Sequence, residues 1–87
     1  MFNVGDRVVG VLRHDGNEDV IDNHGTVIRA KNGLLTVQFD KKIISGHTGP
    51  DGTGRSGYCW NYPYNVAERK LIYEQVDAPP ISFDELF

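Results

Sequence analysis

Residues 25–40 read Gly-Thr-Val-Ile-Arg-Ala-Lys-Asn-Gly-Leu-Leu-Thr-Val-Gln-Phe-Asp, and they carry the clearest secondary-structure pattern of the chain. At its centre stands Asn32-Gly33, and Asn-Gly between two apolar runs is the strongest short-range signal for a β-hairpin. After the turn, Leu35, Val37 and Phe39 alternate with polar residues, which is the period of a strand with one buried face. The stretch therefore predicts two antiparallel strands, residues 25–30 and residues 34–40.

Outside this hairpin the chain carries three more short β-rich runs separated by glycine-containing turns. No segment of ten residues or more shows the 3.6-residue period of a helix. Five short strands in so small a chain predict an all-β fold, a strongly bent five-stranded barrel that is closed or nearly closed. The further strands are predicted at residues 7–12, 58–62 and 70–73, with one helical turn at residues 66–69. The expected core consists of Val9, Val27, Leu35, Val37, Phe39, Trp60 and Leu71.

Length and composition limit what this chain can be. It has 87 residues, 39% of them hydrophobic, which predicts one small domain without a membrane-spanning segment. It contains one cysteine, so an internal disulfide bond is excluded, and one cysteine with three histidines disfavours a structural zinc site. Residues 1–7 show neither the basic nor the apolar region of a secretory leader, so we expect a cytoplasmic protein.

Charge divides the chain into a nearly neutral body and an acidic end. Residues 1–73 contain all nine lysines and arginines and eight of the twelve acidic residues, whereas residues 74–87 contain the other four acids and no base. Binding to a phosphate backbone usually needs a clustered basic surface, which a nearly neutral body does not provide. Because Pro79-Pro80 stiffens the chain near its end, the sequence predicts a domain at residues 1–76 and a tail at residues 77–87.

Several short motifs, in order, resemble a family of small barrels. The runs Val4-Gly5-Asp6-Arg7-Val8-Val9, Gly25-Thr26-Val27-Ile28 and Thr36-Val37-Gln38-Phe39-Asp40 are similar to successive strands of SH3-like modules of the KOW and Mib/Herc2 kind. Residues 46–60, a stretch rich in glycine that ends in Tyr58-Cys59-Trp60, are similar to a pattern in small uncharacterised bacteriophage proteins. The resemblance spans residues 4–72. It implies an SH3-like barrel, and such barrels bind peptides, nucleic acids and other proteins alike.

The glycine-rich loop, residues 41–57, is the first candidate for a functional site. It is long for so small a domain, and long loops often carry function. Its five glycines would let backbone N–H groups approach a nucleotide or another anion, although their spacing matches no known phosphate-binding motif. The alternative is structural: the glycines let the loop fold back over the end of the barrel, with His47 and Asp51 bonding to the loop's own backbone.

Aromatic residues crowd the segment that follows this loop. Alternation places Tyr58, Trp60 and Tyr62 on one face of the predicted fourth strand, where they form either a binding groove or the anchor and rim of the core. Cys59 with the three histidines could form a metal or nucleophilic site, but a cysteine in a strand is more ordinarily a small core residue. We therefore expect no enzyme activity, no metal and no cofactor. The expected ligand or partner site consists of His47, Asp51, Gly52, Gly54, Arg55, Tyr58, Trp60 and Tyr62.

The tail is the second candidate site. Its end, Asp84-Glu85-Leu86-Phe87, resembles the acidic C-terminal tips of bacterial single-stranded-DNA-binding proteins, which dock in basic-rimmed pockets of repair and replication enzymes. The resemblance implies docking through the acids and through the ring and carboxylate of Phe87. The alternatives are a tail that packs on its own barrel or on a second subunit, and a solvated tail. The expected docking residues are Phe83, Asp84, Glu85, Leu86 and Phe87.

Together these patterns predict a phage-type binding module that is not an enzyme. Its expected partner is a host or phage protein of replication, repair, transcription or defence, on which it acts as an inhibitor or adaptor during host takeover, inside the bacterial host cell. One alternative is a KOW-like nucleic-acid module, and another is a protein that binds a nucleotide or small anion in the glycine-rich loop. The bases that would contact phosphate are Arg29, Lys31, Lys41, Lys42 and Arg55.

Overall fold

The turn at Asn32-Gly33 joins two central strands of the sheet, as the sequence predicts. A computed structural model describes residues 2–75 of the chain. In it Asn32 and Gly33 have φ angles of 55° and 78°, the left-handed pair that a two-residue hairpin turn requires. β2 (His24–Lys31) and β3 (Leu34–Phe39) pair antiparallel on either side of this turn. The predicted hairpin is therefore confirmed.

Besides the hairpin, residues 2–75 contain three strands and one helix: β1 (Arg7–Gly10), β4 (Cys59–Pro63), α1 (Tyr64–Lys70) and β5 (Leu71–Tyr73). The five strands of this part of the chain form one antiparallel sheet in the order β4-β3-β2-β1-β5. β1 lies between β2 and β5, so strands from the two ends of the described chain are neighbours. The mostly β fold with five strands is confirmed, but the sheet is open: within residues 2–75 no pairing of β4 with β5 closes it into a barrel.

α1 connects β4 to β5 and extends the single helical turn that the sequence predicts. It has seven residues and follows Pro63, whose ψ of 144° is extended and whose missing N–H costs nothing at a helix start. Arg69 and Lys70 occupy its last turn, where positive charge is favoured by the helix dipole. Within the described part of the chain no helix is long and apolar enough to cross a membrane.

The core contains most, but not all, of the side chains expected there. The prediction that Val9 belongs to the core is wrong. Alternation turns Val8 inward, where it is fully buried, and leaves Val9 partly exposed, paired with Ile72 on one side and His24 on the other. Trp60 packs only partly against the core, and Tyr62 is the largest fully buried side chain. The confirmed core residues are Val27, Leu35, Val37, Phe39 and Leu71.

A network of charged side chains joins the ends of four strands. Arg7 in β1 donates two hydrogen bonds to Asp40, just after β3, at 2.9 and 2.6 Å, and contacts Glu74, just after β5, at 3.3 and 3.0 Å. His24 at the start of β2 lies 2.6 Å from the same Glu74 carboxylate. Hydrogen bonds from Arg7 hold the pKa values of Asp40 and Glu74 below their ordinary range.

The predicted tail lies outside the described residues. This applies to residues 77–87 as a whole and to every docking residue expected there. They are Phe83, Asp84, Glu85, Leu86 and Phe87.

Candidate binding groove beside Trp60

A surface groove of about 320 Å³ lies where the β1–β2 loop (residues 11–23) meets the start of the glycine-rich loop. We call it the Trp60 groove, after the side chain from β4 that contributes to its lining. Of the ligand-binding residues expected from the sequence, Trp60 alone lines it. Its lining residues are Asp15, Gly16, Asn17, Glu18, Asp19, Ile44, Ser45 and Trp60.

The groove has a first wall, residues 15–19 of the β1–β2 loop, and a second wall, residues 44 and 45 of the glycine-rich loop. The backbone of Ile44 joins the two walls. The Asn17 side-chain amide donates to the Ile44 carbonyl oxygen at 2.8 Å, and the Ile44 N–H donates to Asp19 Oδ2 at 2.8 Å. Deeper in the loop, the buried Asn23 side chain donates to the Lys41 carbonyl at 3.0 Å and accepts from the Lys41 N–H at 3.2 Å. These loops therefore form one preorganised unit, and a ligand does not have to order them.

The first wall begins with a tight turn at Asp15-Gly16. Asp15 and Gly16 have φ angles of 52° and 76°, and the Asn17 N–H donates to the His14 carbonyl at 3.0 Å. Asp-Gly is a preferred pair for such a left-handed turn. The turn projects the Asp15 side chain into solvent, where 76% of it is exposed.

The second wall contains a residue with an unfavourable backbone conformation. Ser45 has a φ of 60°, in a turn closed by the Gly46 N–H donating to the Ile43 carbonyl at 3.2 Å. Glycine adopts this left-handed conformation without steric cost, whereas serine does not. Such strain concentrates at functional sites, and here it occurs in the lining of the groove.

Trp60 is fixed in the groove by contacts on two sides. Its indole Nε1–H donates to the His14 carbonyl oxygen at 3.2 Å. The His47 ring stacks near the indole, with 5.9 Å between ring centroids and 28° between planes. Trp60 therefore joins the sheet to the β1–β2 loop while part of its ring remains accessible.

The rim of the groove combines negative charge with one apolar side chain. Asp15, Glu18 and Asp19 bring three carboxylates to it, and Ile44 is 72% exposed. Glu18 contacts Arg13 at 3.3 Å, but both side chains are about two-thirds exposed to water, so this pair contributes little energy. Carboxylates beside an indole ring suit a cationic group on an aliphatic stem.

Behind the groove, His14 is buried among three side chains. Its ring stacks on Tyr62 with 4.9 Å between centroids, its Nδ1 lies 2.9 Å from Lys70 Nζ, and its Nε2 lies 3.5 Å from Asp15 Oδ2. Burial lowers the pKa of His14 below its ordinary value; Asp15 opposes this effect and Lys70 adds to it. Burial also raises the pKa of Tyr62, whose hydroxyl has no hydrogen-bond partner in the described chain.

Beyond residue 48 the glycine-rich loop packs on the opposite face of β3 and β4, away from the core. Cys59 and Thr36 on this face are fully buried, and burial raises the pKa of the Cys59 thiol. A Cβ at Gly54 would overlap Cys59 Sγ and approach Ile28, and a Cβ at Gly49 would come within 3.3 Å of Thr36. At these two glycines the close approach is thus to the sheet of the protein itself.

Polar residues of this loop also bond within it. The Gly49 N–H donates to His47 Nδ1 at 2.8 Å, and the Thr53 hydroxyl donates to Asp51 Oδ1 at 2.9 Å, which lowers the pKa of Asp51. Arg55 is stacked over the Tyr58 ring at 4.1 Å. The expected ligand residues are therefore divided between the loop, the core, where Tyr62 is buried, and the Trp60 groove. Across residues 2–75 no group of three His, Cys, Asp or Glu side chains is arranged to hold a metal.

Comparison with family models, curated proteins and solved structures finds no match to this chain. Function is therefore inferred from the geometry of the groove. The sequence did not mark residues 13–23 as a functional site, although Asp15-Gly16 within them is a turn signal. In the structure His14, Asn17 and Val20 of this loop, at every third position, are buried.

Proposed function

We propose that this chain is a small SH3-like binding module that docks on another protein and holds an extended, basic segment of it in the Trp60 groove. The observation that carries the proposal is that hydrogen bonds hold the groove in shape without a ligand. Two loops are joined by hydrogen bonds to both sides of one residue, Ile44, above an anchored indole ring. A preformed concave surface with an aromatic side chain in its lining is a usual form of a peptide-binding site.

The topology supports the SH3-like part of this proposal. A meander of β2, β3 and β4 is extended by β1 and β5 in the order β4-β3-β2-β1-β5, with a short helix between the last two strands. The pairing of β2 with β3 shifts register between Val27 and Arg29, and an irregularity of this kind bends a strand. In this arrangement the β1–β2 loop and the β3–β4 connection approach each other, and the groove lies between them.

The charges favour a basic protein segment over nucleic acid. A lysine or arginine of the partner would lay its aliphatic stem on Trp60 and direct its charge to Asp15 or Glu18. An apolar neighbour in the same segment would contact Ile44. Phosphate would be repelled by the carboxylates of the rim. The Arg29 guanidinium, expected to contact phosphate in the KOW-like alternative, lies 3.6 Å from the Asp51 carboxylate.

The biological setting is proposed from the resemblance of residues 4–72. On that basis the partner is a host or phage protein of replication, repair, transcription or defence, and the chain acts on it as an inhibitor or adaptor in the bacterial cytoplasm. Docking of the acidic tail on a basic-rimmed pocket remains a second proposed contact of the same module.

A peptide selection with matched variants tests this function. Random peptides of about twelve residues would be selected on the full chain, and their affinities measured for Ile44→Lys and Val4→Lys. Both side chains are largely exposed, at 72% and 63%, so both variants add the same charge without disturbing the core. Selected peptides should be rich in lysine and arginine. Ile44→Lys should weaken them more than tenfold, about 1.4 kcal/mol, and Val4→Lys less than about twofold.

Two results would contradict the proposal. One is the enrichment of acidic or purely apolar peptides. The other is an equal effect of the two lysine substitutions, which would place the binding surface elsewhere. High-affinity binding of an oligonucleotide that is lost at moderate salt would favour the nucleic-acid alternative instead.

A further inference from the structure

The buried ring of His14 is placed so that it cannot take up a proton without losing a contact. A lysine ammonium has donors and no acceptor, so at 2.9 Å from Lys70 Nζ the Nδ1 atom of His14 must be the acceptor. The proton of the neutral ring is then on Nε2, which faces Asp15 Oδ2 at 3.5 Å. The histidine is thus held in one tautomer between a base on α1 and an acid on its own loop.

Protonation of this ring would set two donors against each other. With a proton on both nitrogens, Nδ1–H would point at the Lys70 ammonium, and two positive charges would meet in a site where His14 is only 7% exposed. The other described groups at the ring are Asp15, which attracts the added charge, and the Tyr62 ring from β4. The Asp15 carboxylate attracts the added charge more than the Lys70 ammonium repels it, so uptake of a proton is opposed mainly by burial of the ring, together with loss of the hydrogen bond from Lys70 to Nδ1.

Movement of His14 would reach the groove through its own carbonyl oxygen. This oxygen accepts both the Trp60 indole N–H at 3.2 Å and the Asn17 N–H at 3.0 Å. The first bond fixes Trp60 in the lining of the groove, and the second closes the Asp15-Gly16 turn of its first wall. A shift of His14 away from Lys70 therefore strains both at once.

We propose that His14 makes the Trp60 groove sensitive to pH: the neutral ring keeps the groove formed, and uptake of one proton releases Trp60 and the Asp15-Gly16 turn. The effect on ligand affinity rests on the proposed function, whereas the change in the groove itself does not. Burial lowers the pKa of His14 from 6.5, so the neutral ring dominates at neutral pH, as the proposal requires. We therefore expect release of Trp60 and of the turn in mildly acidic solution, below pH 6.5.

The indole N–H of Trp60 offers a direct readout, because the chain contains one tryptophan. Its NMR signal would be followed in the full chain, without ligand, from about pH 7.5 to about pH 5, above the ordinary range of carboxyl groups. The wild-type signal should move to a position typical of an indole without a hydrogen bond to protein. In His14→Asn, which keeps an acceptor for Lys70 but does not titrate, the signal should not move.

His47→Asn is the matched control, because the His47 ring also lies beside Trp60. This variant should keep the wild-type transition. Should His14→Asn fail to fold, Lys70→Met provides the test: removal of the ammonium should shift the transition to higher pH. A transition that persists in His14→Asn, disappears only in His47→Asn or is unmoved in Lys70→Met would overturn the proposal.

Affinity measurements separate this inference from the proposed function. A selected basic peptide should bind more weakly at pH 5.5 than at pH 7.5, by at most about tenfold per pH unit for one coupled proton. Titration of the indole through His14 without any peptide binding would support the pH effect and contradict the binding function. Peptide binding with a pH-independent indole signal would support the binding function and contradict the pH effect.

Discussion

The indole N–H of Trp60 donates to the backbone carbonyl oxygen of His14 at 3.2 Å, across 46 positions of sequence. The same oxygen accepts the N–H of Asn17, so a single atom positions both the Trp60 indole and the first wall of the groove. Trp60 also packs partly against the core. The sequence is compatible with two roles for this residue, core anchor and groove residue, and in the structure Trp60 both packs partly against the core and lines the groove.

We expect Gly54→Ala to destabilise the fold more than Gly52→Ala. A Cβ at Gly54 would overlap Cys59 Sγ and come within 2.8 Å of the Thr48 carbonyl oxygen, whereas a Cβ at Gly52 meets no atom within 4 Å. Overpacking of this kind costs about 1–3 kcal/mol. The left-handed φ of 72° at Gly52 alone costs alanine about 1 kcal/mol. Urea unfolding, monitored by circular dichroism, measures the free energy of unfolding of both variants. Equal losses of this free energy would show that the loop does not pack on the sheet.

Ser45→Gly should raise the free energy of unfolding by about 1 kcal/mol, because glycine adopts a φ of 60° without strain. Ser56→Gly is the control: Ser56 is exposed and its φ is not positive, so glycine there gains only unfolded-state entropy and should destabilise slightly. Thermal unfolding of the two variants gives the comparison. A loss of stability in Ser45→Gly would mean that the wall of the groove is not strained.

Arg7→Met should lower stability in a pH-dependent way. Carboxyl groups whose pKa is lowered in the folded state add stability above their unfolded pKa, near 4, and lose it as pH falls through the folded value. Asp40 and Glu74 are such groups because of Arg7. The difference in unfolding free energy between wild type and variant should therefore be greatest above about pH 5 and should shrink in strong acid.

The control for this measurement is Arg13→Met. Arg13 pairs with Glu18 at 3.3 Å, but their side chains are 67% and 70% exposed, and such pairs add little stability. Its unfolding free energy should follow that of the wild type at every pH. A difference between Arg7→Met and wild type that stays constant with pH would show that Arg7 acts by packing rather than by charge.

Local patterns predicted the strands, and contacts between loops remained hidden. Asn32-Gly33 and the alternation after it act within a few residues, so the hairpin was predictable. Val9 was wrongly placed in the core because Val8-Val9 is continuous and a shift of one residue reverses the faces of a strand. The groove depends on the Asn17 side chain bonding to the backbone of Ile44, 27 positions away, and such a bond has no periodic signal.

The glycine-rich loop shows a second limit of sequence reasoning. Glycine permits close approach, but its position along the chain does not say what approaches. At Gly54 the neighbours are Cys59 and Ile28 of the protein's own sheet rather than a ligand. The structural alternative for this loop, with His47 and Asp51 bonding inside it, was therefore as consistent with the sequence as a binding site.

The binding role of the Trp60 groove is tested most directly by mapping a selected basic peptide on the full chain by NMR. The largest shift changes should occur in the amides of residues 15–19, 44 and 45 and in the Trp60 indole, which line the groove. Amides of the glycine-rich loop beyond residue 48 should change little, since that part lies over the opposite face of the sheet. Changes concentrated in residues 49–57 or in residues 76–87, with the indole signal unmoved, would contradict the assignment of the groove as the binding site.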